Sequence, residues 1–263
     1  MPLIELRNLH KRFGRQIVLR GVNLQIEAGH VLVIIGASGS GKSVMLKHIV
    51  GLLKPDKGEV WFHDRRIDTL SERELQSVRT RFGFLFQMGA LFDSINVLEN
   101  VAFPLVEHSN KSREEIEAIA MEKLRLVGLP DIGRKMPAEL SGGQRKRVAL
   151  ARAIALSPEV ILYDEPTTGL DPIRSDVINE LILKLQRELN VTSVVVTHDM
   201  NSAFKIADRI VMLHEGLLVF DGTVEQIKSC EDEVVKRFVT GEAGEADLAE
   251  LRTTGREFRL TNQ

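Results

Sequence analysis

Apolar residues along this chain follow two different rhythms. Ile4-Glu5-Leu6-Arg7 alternates apolar and polar, the period of a strand with one wet face. Val18 to Ile26 and Glu59 to Phe62 are two more short strand-like runs beside glycine turns, and the three together predict a small antiparallel sheet. Val31-Leu32-Val33-Ile34-Ile35, Val160-Ile161-Leu162-Tyr163 and Ser193-Val194-Val195-Val196 behave differently, because they are unbroken. Such runs suit strands buried on both faces, the pattern of a parallel sheet inside an α/β protein. Each run ends on a polar cluster: Gly36 to Ser43, Asp164-Glu165, and Thr197-His198-Asp199. Chemistry in open α/β sheets gathers beyond the carboxyl ends of the strands, so these clusters are the first candidates for a site.

Between Met88 and Ser157 the period becomes helical. Ser112-Arg113-Glu114-Glu115 reads as a capping box, followed by Ile116, Ile119, Ala120, Leu124 and Val127 on one face and a stop at Gly128. A second helix is expected after Ser141, carrying Val148, Ala151, Ala155 and Leu156, and a third pattern runs through Val177, Ile178, Leu181, Leu185 and Leu189. A helical insert therefore interrupts an α/β core: residues 1–87 and 158–240 form the core, 88–157 the insert, and 241–263 a C-terminal extension. In that extension only Leu248, Leu251, Phe258 and Leu260 are sizeable apolar residues, which predicts a frayed tail for an isolated monomer.

Composition narrows the function classes. At 263 residues, with 43% hydrophobic and 27% charged positions, the chain has ample apolar content for a core. Its formal net charge of −2 lacks the basic surplus of a protein that lives on nucleic acid. One cysteine, Cys230, has no internal partner, which suits a reducing compartment. The N-terminal segment, with Glu5 and Arg7, has no signal-peptide pattern, and no aliphatic run approaches a membrane span, so a cytoplasmic chain is expected.

Gly36-Ala37-Ser38-Gly39-Ser40-Gly41-Lys42-Ser43 is a P-loop. Its glycines let backbone N–H groups turn inward around phosphate oxygens, Lys42 brings a point charge to the β- and γ-phosphates, and the Ser43 hydroxyl is a magnesium ligand. A helix with Met45, Leu46, Ile49 and Val50 on its buried face follows and points its positive end at the anion. Asp164 at the end of an apolar strand has the Walker B arrangement and can hold Mg²⁺, with Glu165 next to it where an attacking water could sit. Leu140-Ser141-Gly142-Gly143-Gln144 opens a helix rich in cations (Arg145, Lys146, Arg147, Arg152) and offers a second anion seat of exposed N–H groups, a hydroxyl and a dipole.

Leu140 to Gln144 resembles the signature motif of the ABC ATPases, and the resemblance covers almost the whole chain in family order. Phe13 falls where that family stacks an aromatic on adenine, Gln87 at its Q-loop glutamine, Thr168-Gly169-Leu170-Asp171 at its D-loop and His198 at its switch histidine. The resemblance implies a P-loop NTPase core of RecA-like type with an antiparallel β-subdomain and an ABC-specific helical subdomain. It implies ATP and Mg²⁺ as ligands, with ATP contacts from Phe13, Gly36, Ser38, Gly39, Ser40, Gly41, Lys42, Ser43, Val44, Ser141, Gly142, Gly143 and Gln144. Ser43, Gln87 and Asp164 would hold the metal, while Glu165, His198, Lys42 and Gln87 would carry the hydrolysis. It also implies a head-to-tail dimer in which the P-loop of one copy and Ser141 of the other close on one ATP.

The stretch from Phe86 to Val97, followed by Glu99-Asn100-Val101-Ala102-Phe103-Pro104-Leu105, is similar to the ATP-binding subunits of the Mla phospholipid transport system. Met88, Leu91 and Phe92 would then meet the coupling helix of a permease. That resemblance implies an MlaE-like permease, an MlaD-like MCE protein bound through it, an MlaB-like STAS protein, no nucleic acid, and a peripheral place on the cytoplasmic face of a bacterial inner membrane. Leu251, Phe258 and Leu260 would be docking side chains of the extension. Two other readings stay open: an ABC subunit for a different substrate, and a soluble ABC protein outside transport.

Overall fold

The computed structural model describes residues 2–242. Leu251, Phe258 and Leu260, assigned above to docking, lie outside the described residues. Strands β1 (Ile4–Phe13) and β2 (Gln16–Ile26) form an antiparallel hairpin, and β3 (Val31–Ile35) leads into helix α1 (Lys42–Ile49). Next come β4 (Lys57–Phe62), the two-residue β5 (Arg65–Arg66), α2 (Glu72–Arg79) and β6 (Phe82–Leu85). The helical insert holds α3 (Val97–His108), α4 (Arg113–Leu126), a short 3₁₀ turn at Pro137–Glu139 and α5 (Gly142–Ala153). The chain then returns through β7 (Val160–Asp164), α6 (Pro172–Leu189), β8 (Thr192–Thr197) and α7 (Met200–Ile206). It finishes with β9 (Arg209–His214), β10 (Leu217–Gly222), α8 (Val224–Lys228) and α9 (Glu233–Thr240).

Two sheets result, as the two apolar rhythms demand. The antiparallel sheet has the order β2-β1-β4-β5, and the six-stranded sheet the order β10-β9-β3-β8-β7-β6. In the second sheet β3, β6, β7, β8 and β9 run parallel, with β10 antiparallel at the edge. Both faces of its central strands are covered. Val31, Val33 and Ile35 pack with Ile161, Tyr163 and Val195 into one apolar cluster, under the helical insert and α6. Leu32 and Ile34 pack with Leu162, Val194 and Val196 into the other, against Met45, Leu46 and Ile49 of α1 and the inner face of the antiparallel sheet. A two-residue side-chain period inside an unbroken apolar run produces this two-sided burial.

The capping box expected at Ser112 is present, and two more that the sequence reading missed open α2 and α3. Ser112 caps α4 by accepting from the Glu115 N–H at 3.2 Å, and Glu115 returns to the Ser112 N–H at 2.7 Å. Asn96 with Glu99 and Ser71 with Glu74 build the same reciprocal box on α3 and α2. The α5 helix stops at Ala153, so Ala155 and Leu156 lie beyond it, and Val177 on α6 is 47% exposed. Strands β5, β6, β9 and β10 and helices α2, α3, α7, α8 and α9 are additions to the pattern reading.

Register sets the site. Ile35 pairs with Thr197, Asp164 with Val196, and Leu85 with Tyr163. The P-loop, the Asp164-Glu165 pair, His198 and Gln87 therefore leave four neighbouring strands at one edge of the sheet.

Candidate functional site

A cleft of about 400 Å³ at this edge is lined by Phe13, Ser38, Gly39, Gly41, Lys42, Ser43, Val44, Gln87, Glu165 and His198, together with Gln16 and Val18. Ten residues predicted from five separated segments thus meet in one place. Gln16 and Val18 were missed, although their position on the strand after Phe13 could have suggested them.

The P-loop adopts a backbone that side chains would forbid. Gly39 and Gly41 have φ of 80° and 106°, and a Cβ at Gly41 would stand 2.9 Å from Val18 Cγ1. Gly36 serves packing instead of the cleft: a Cβ there would stand 2.2 Å from the Leu213 carbonyl oxygen. Among the described residues, the Ser40 hydroxyl oxygen is buried without a hydrogen-bond partner. Lys42 Nζ donates to the carbonyls of Gly36 and Ala37 at 2.8 and 3.0 Å. Burial pulls its ammonium below the usual lysine range, against the fields of Glu165 and Asp164.

Ser43 Oγ donates to Asp164 Oδ1 at 2.7 Å, so two of the three expected magnesium ligands are already neighbours. Burial raises the Asp164 pKa and the Ser43 hydrogen bond opposes that rise. One hydroxyl and one carboxylate beside a P-loop fit a hard cation that takes its remaining oxygens from phosphate and water. Gln87 lies exposed at the rim.

Glu165 is bent into position. It has a positive φ of 52°, costly for a side chain of this size. Its N–H donates to the Val196 carbonyl at 2.9 Å, which holds the bend against β8. Thr168 Oγ1 donates to Oε2 of the carboxylate at 3.0 Å, and His198 Nδ1 sits 3.0 Å from Oε1 and 2.9 Å from Oε2.

The structure does not bring Ser141, Gly142, Gly143 and Gln144 to this cleft; they open α5 elsewhere on the same chain. Ser141 Oγ accepts from the Gln144 N–H at 3.3 Å, and the Gln144 amide oxygen accepts from the Ser141 N–H at 3.0 Å. The cations of the helix do not serve an anion seat. Arg145 donates to the Pro137 carbonyl, Arg147 to those of Val127 and Gly128, Arg152 to that of Gly89, and Lys146 turns inward. An anion at Ser141 would meet backbone N–H groups and the hydroxyl. Asp171 caps α6 by accepting from the Arg174 N–H at 2.9 Å.

A groove of about 780 Å³ opens on another side, between α2, β6 and the helical insert. Phe84 and Phe86 stack at 4.2 Å within it, and Phe92 meets Phe103 at 4.7 Å. Of the three residues expected to meet a permease, Phe92 lines this groove, Met88 projects into solvent at 87% exposure, and Leu91 packs on the core. Asn100, buried on α3, was missed as an organiser. The two hydrogens of its Nδ2 are shared among the carbonyls of Phe92, Ile95 and Asn96 at 3.0–3.1 Å, and its Oδ1 accepts from the Phe92 N–H.

Comparison with known proteins agrees with this arrangement. The sequence model of the ABC transporter family matches residues 19–168. The intermembrane phospholipid transport system ATP-binding protein MlaF of Haemophilus influenzae is 45% identical over 241 residues, 92% of this chain and 91% of that protein. A probable ribonucleotide transport ATP-binding protein of Mycobacterium leprae is also 45% identical, over 92% of this chain and 70% of that longer protein. Among solved structures, a dimeric ATP-binding cassette in a post-hydrolysis state bound to ADP and Pi is 39% identical, with a TM-score of 0.77 over 84% of this chain and 98% of that one. By the family match over residues 19–168 and these likenesses over most of its length, the chain belongs to the ATP-binding cassette family of ABC transporters.

Proposed function

We propose that this chain is the ATP-hydrolysing subunit of a transporter that moves phospholipids between the inner and outer membranes. The observation that carries the ATPase reading is the single cleft that gathers Lys42, Ser43, Glu165 and His198 beside Asp164. Phospholipid as the cargo rests on the likeness to MlaF over nearly the full length of both chains.

Backbone N–H groups of the P-loop and Lys42 would cradle the phosphates, and Phe13, 47% exposed at the cleft mouth, would stack on the base. Mg²⁺, held by Ser43, Asp164 and Gln87 with the phosphates, would neutralise their developing charge. Glu165 accepts a proton from the attacking water, and His198 fixes the carboxylate and reaches toward the γ-phosphate. Ser141 and Gly142 of a second copy would complete each site, since their own chain keeps them out of its cleft.

The aromatic groove at Phe84, Phe92 and Phe103 would receive a short helix of an MlaE-like permease, through which an MlaD-like MCE protein and an MlaB-like STAS protein join the assembly. No helix among the described residues is long and apolar enough to cross a membrane, and a peripheral place on the cytoplasmic face follows from docking to that permease. Residues 88–157 would then move as the subdomain that carries the groove and Ser141.

Co-expression with an MlaE-like permease and an MlaD-like MCE protein, followed by reconstitution with fluorescent phospholipid, tests this reading. ATP-dependent lipid transfer that fails with Glu165→Gln is expected. The equal likeness to the ribonucleotide-transport relative gives the competing reading, which ribonucleotide uptake in place of lipid transfer would favour.

A further inference from the structure

Lys146 lies on α5, five residues past Ser141, and is 7% exposed. Its Nζ donates to three backbone carbonyls: Glu165 at 3.1 Å, Pro166 at 2.7 Å and Thr168 at 2.8 Å. An ammonium has three hydrogens, and here each has its own acceptor. All three acceptors belong to the loop that carries Glu165 and the Thr168 hydroxyl that holds its carboxylate. A charge placed in so enclosed a site is tolerated only where its hydrogen bonds are complete. The loop in turn needs a holder, because its convergent carbonyls repel one another and Glu165 sits at a positive φ.

We propose that Lys146 is a positioning residue for hydrolysis: it ties the loop from Glu165 to Thr168 to the helix that begins at Ser141, so that the aim of Glu165 depends on where α5 stands. This inference rests on the reading of Glu165 as the group that acts on the water and of Ser141 as facing the ATP of a second copy. Under it, one side chain connects the end of α5 that meets one nucleotide with the carboxylate that serves the other. Displacing a reacting group by about 1 Å costs on the order of 10²-fold in rate, so this tether has leverage on turnover that it lacks on binding.

The test compares the full-length chain with Lys146→Met, Lys146→Arg and Glu165→Gln. Steady-state kcat and KM for MgATP, binding of a fluorescent ATP analogue and the melting temperature are measured for each. Lys146→Met keeps the length and loses the donors. It should lower kcat roughly 10- to 100-fold while KM and analogue affinity stay within about threefold, and Lys146→Arg should recover most of the loss. Should Lys146→Met fail to fold, Lys146→Gln, which keeps two donor hydrogens, takes its place: kcat should fall roughly 3- to 30-fold with KM and affinity held, and a kcat within about twofold of the parent overturns the proposal there too. A kcat within about twofold of the parent for the Met variant overturns the proposal. So does a loss that tracks weakened nucleotide binding and is not restored by arginine. Parental hydrolysis by Glu165→Gln sinks the underlying reading of Glu165 instead, whatever the lysine variants do.

Discussion

The Nδ1 atom of His198 lies 3.0 Å from Oε1 of Glu165, across the carboxyl ends of two neighbouring strands. The ring nitrogen straddles the carboxylate, 2.9 Å from Oε2, and Thr168 Oγ1 donates to that same Oε2 at 3.0 Å. A ring that donates through Nδ1 presents Nε2 outward, and His198 is half-exposed toward the cleft. On the proposed mechanism the pair would act as one unit, the carboxylate taking the proton and the ring fixing its orientation.

Glu165→Gln should keep ATP binding and lose turnover by roughly 10²–10⁴-fold, the contribution of a positioned general base. His198→Ala should lose less, since Thr168 and the Val196 carbonyl still hold the glutamate. Phosphate release at saturating ATP, beside equilibrium nucleotide binding, reads both. A histidine variant more impaired than the glutamate variant would reverse the assignment of roles.

Ser43 and Asp164 make a second separable pair. Their hydrogen bond of 2.7 Å places hydroxyl and carboxylate where a cation can bridge to phosphate. Burial disfavours the charged Asp164, and a divalent ion would offset that penalty. Asp164→Asn and Ser43→Ala should each raise the Mg²⁺ concentration for half-maximal hydrolysis by roughly 10- to 100-fold. A magnesium titration at fixed ATP checks this, and an unmoved midpoint in both variants removes them from the ion site.

Asn100→Ala should act on stability and on the aromatic groove, leaving the nucleotide cleft alone. The substitution strips the side-chain donor from the carbonyls of Phe92 and Ile95 and the acceptor from the Phe92 N–H, while the Asn96 carbonyl keeps the backbone N–H of residue 100 at 2.9 Å. Each buried polar group left unpaired costs about 1–3 kcal/mol, and each kcal/mol lowers the melting point of a chain this size by roughly 2–4 °C. Calorimetry should show the drop with analogue binding unchanged, and pull-down with the permease should weaken. Undiminished melting would mean that the loop from Phe92 to Asn96 holds itself.

What the sequence discloses and what it hides divide along physical lines. The P-loop and the central strands were legible because each needs particular residues locally: glycine where φ is positive, and unbroken apolar runs where both faces are buried. Strand β6 hid because Phe82-Gly83-Phe84-Leu85 is four residues long with a glycine inside. Helix α2 hid because only Leu75 and Val78 of its eight residues are buried. The groove hid because Phe84 and Phe103 come from different elements and meet only in the fold. Lys146 is the clearest case. It is one of four cations in a row of eight residues, and nothing local distinguishes the one that turns inward.

That buried lysine also predicts a divergence between activity and stability with pH. Burial lowers the Lys146 ammonium to about 8, with Glu165 the charged neighbour that opposes the shift. Between that pH and the ordinary lysine value the unfolded chain binds the extra proton and the folded chain does not, so raising pH through this window stabilises the fold. Lys42, also lowered by burial, adds the same sign. Turnover should move the other way. A neutral amine has two hydrogens for three carbonyls, and the loop carrying Glu165 loses part of its tether. At saturating MgATP, kcat should therefore fall above pH about 8 while the melting temperature holds or rises. In Lys146→Arg the guanidinium keeps its proton throughout, so the alkaline fall of kcat should shift upward by at least about one pH unit. An alkaline limb that is identical in the parent and the arginine variant would assign it to another group, Lys42 first among them.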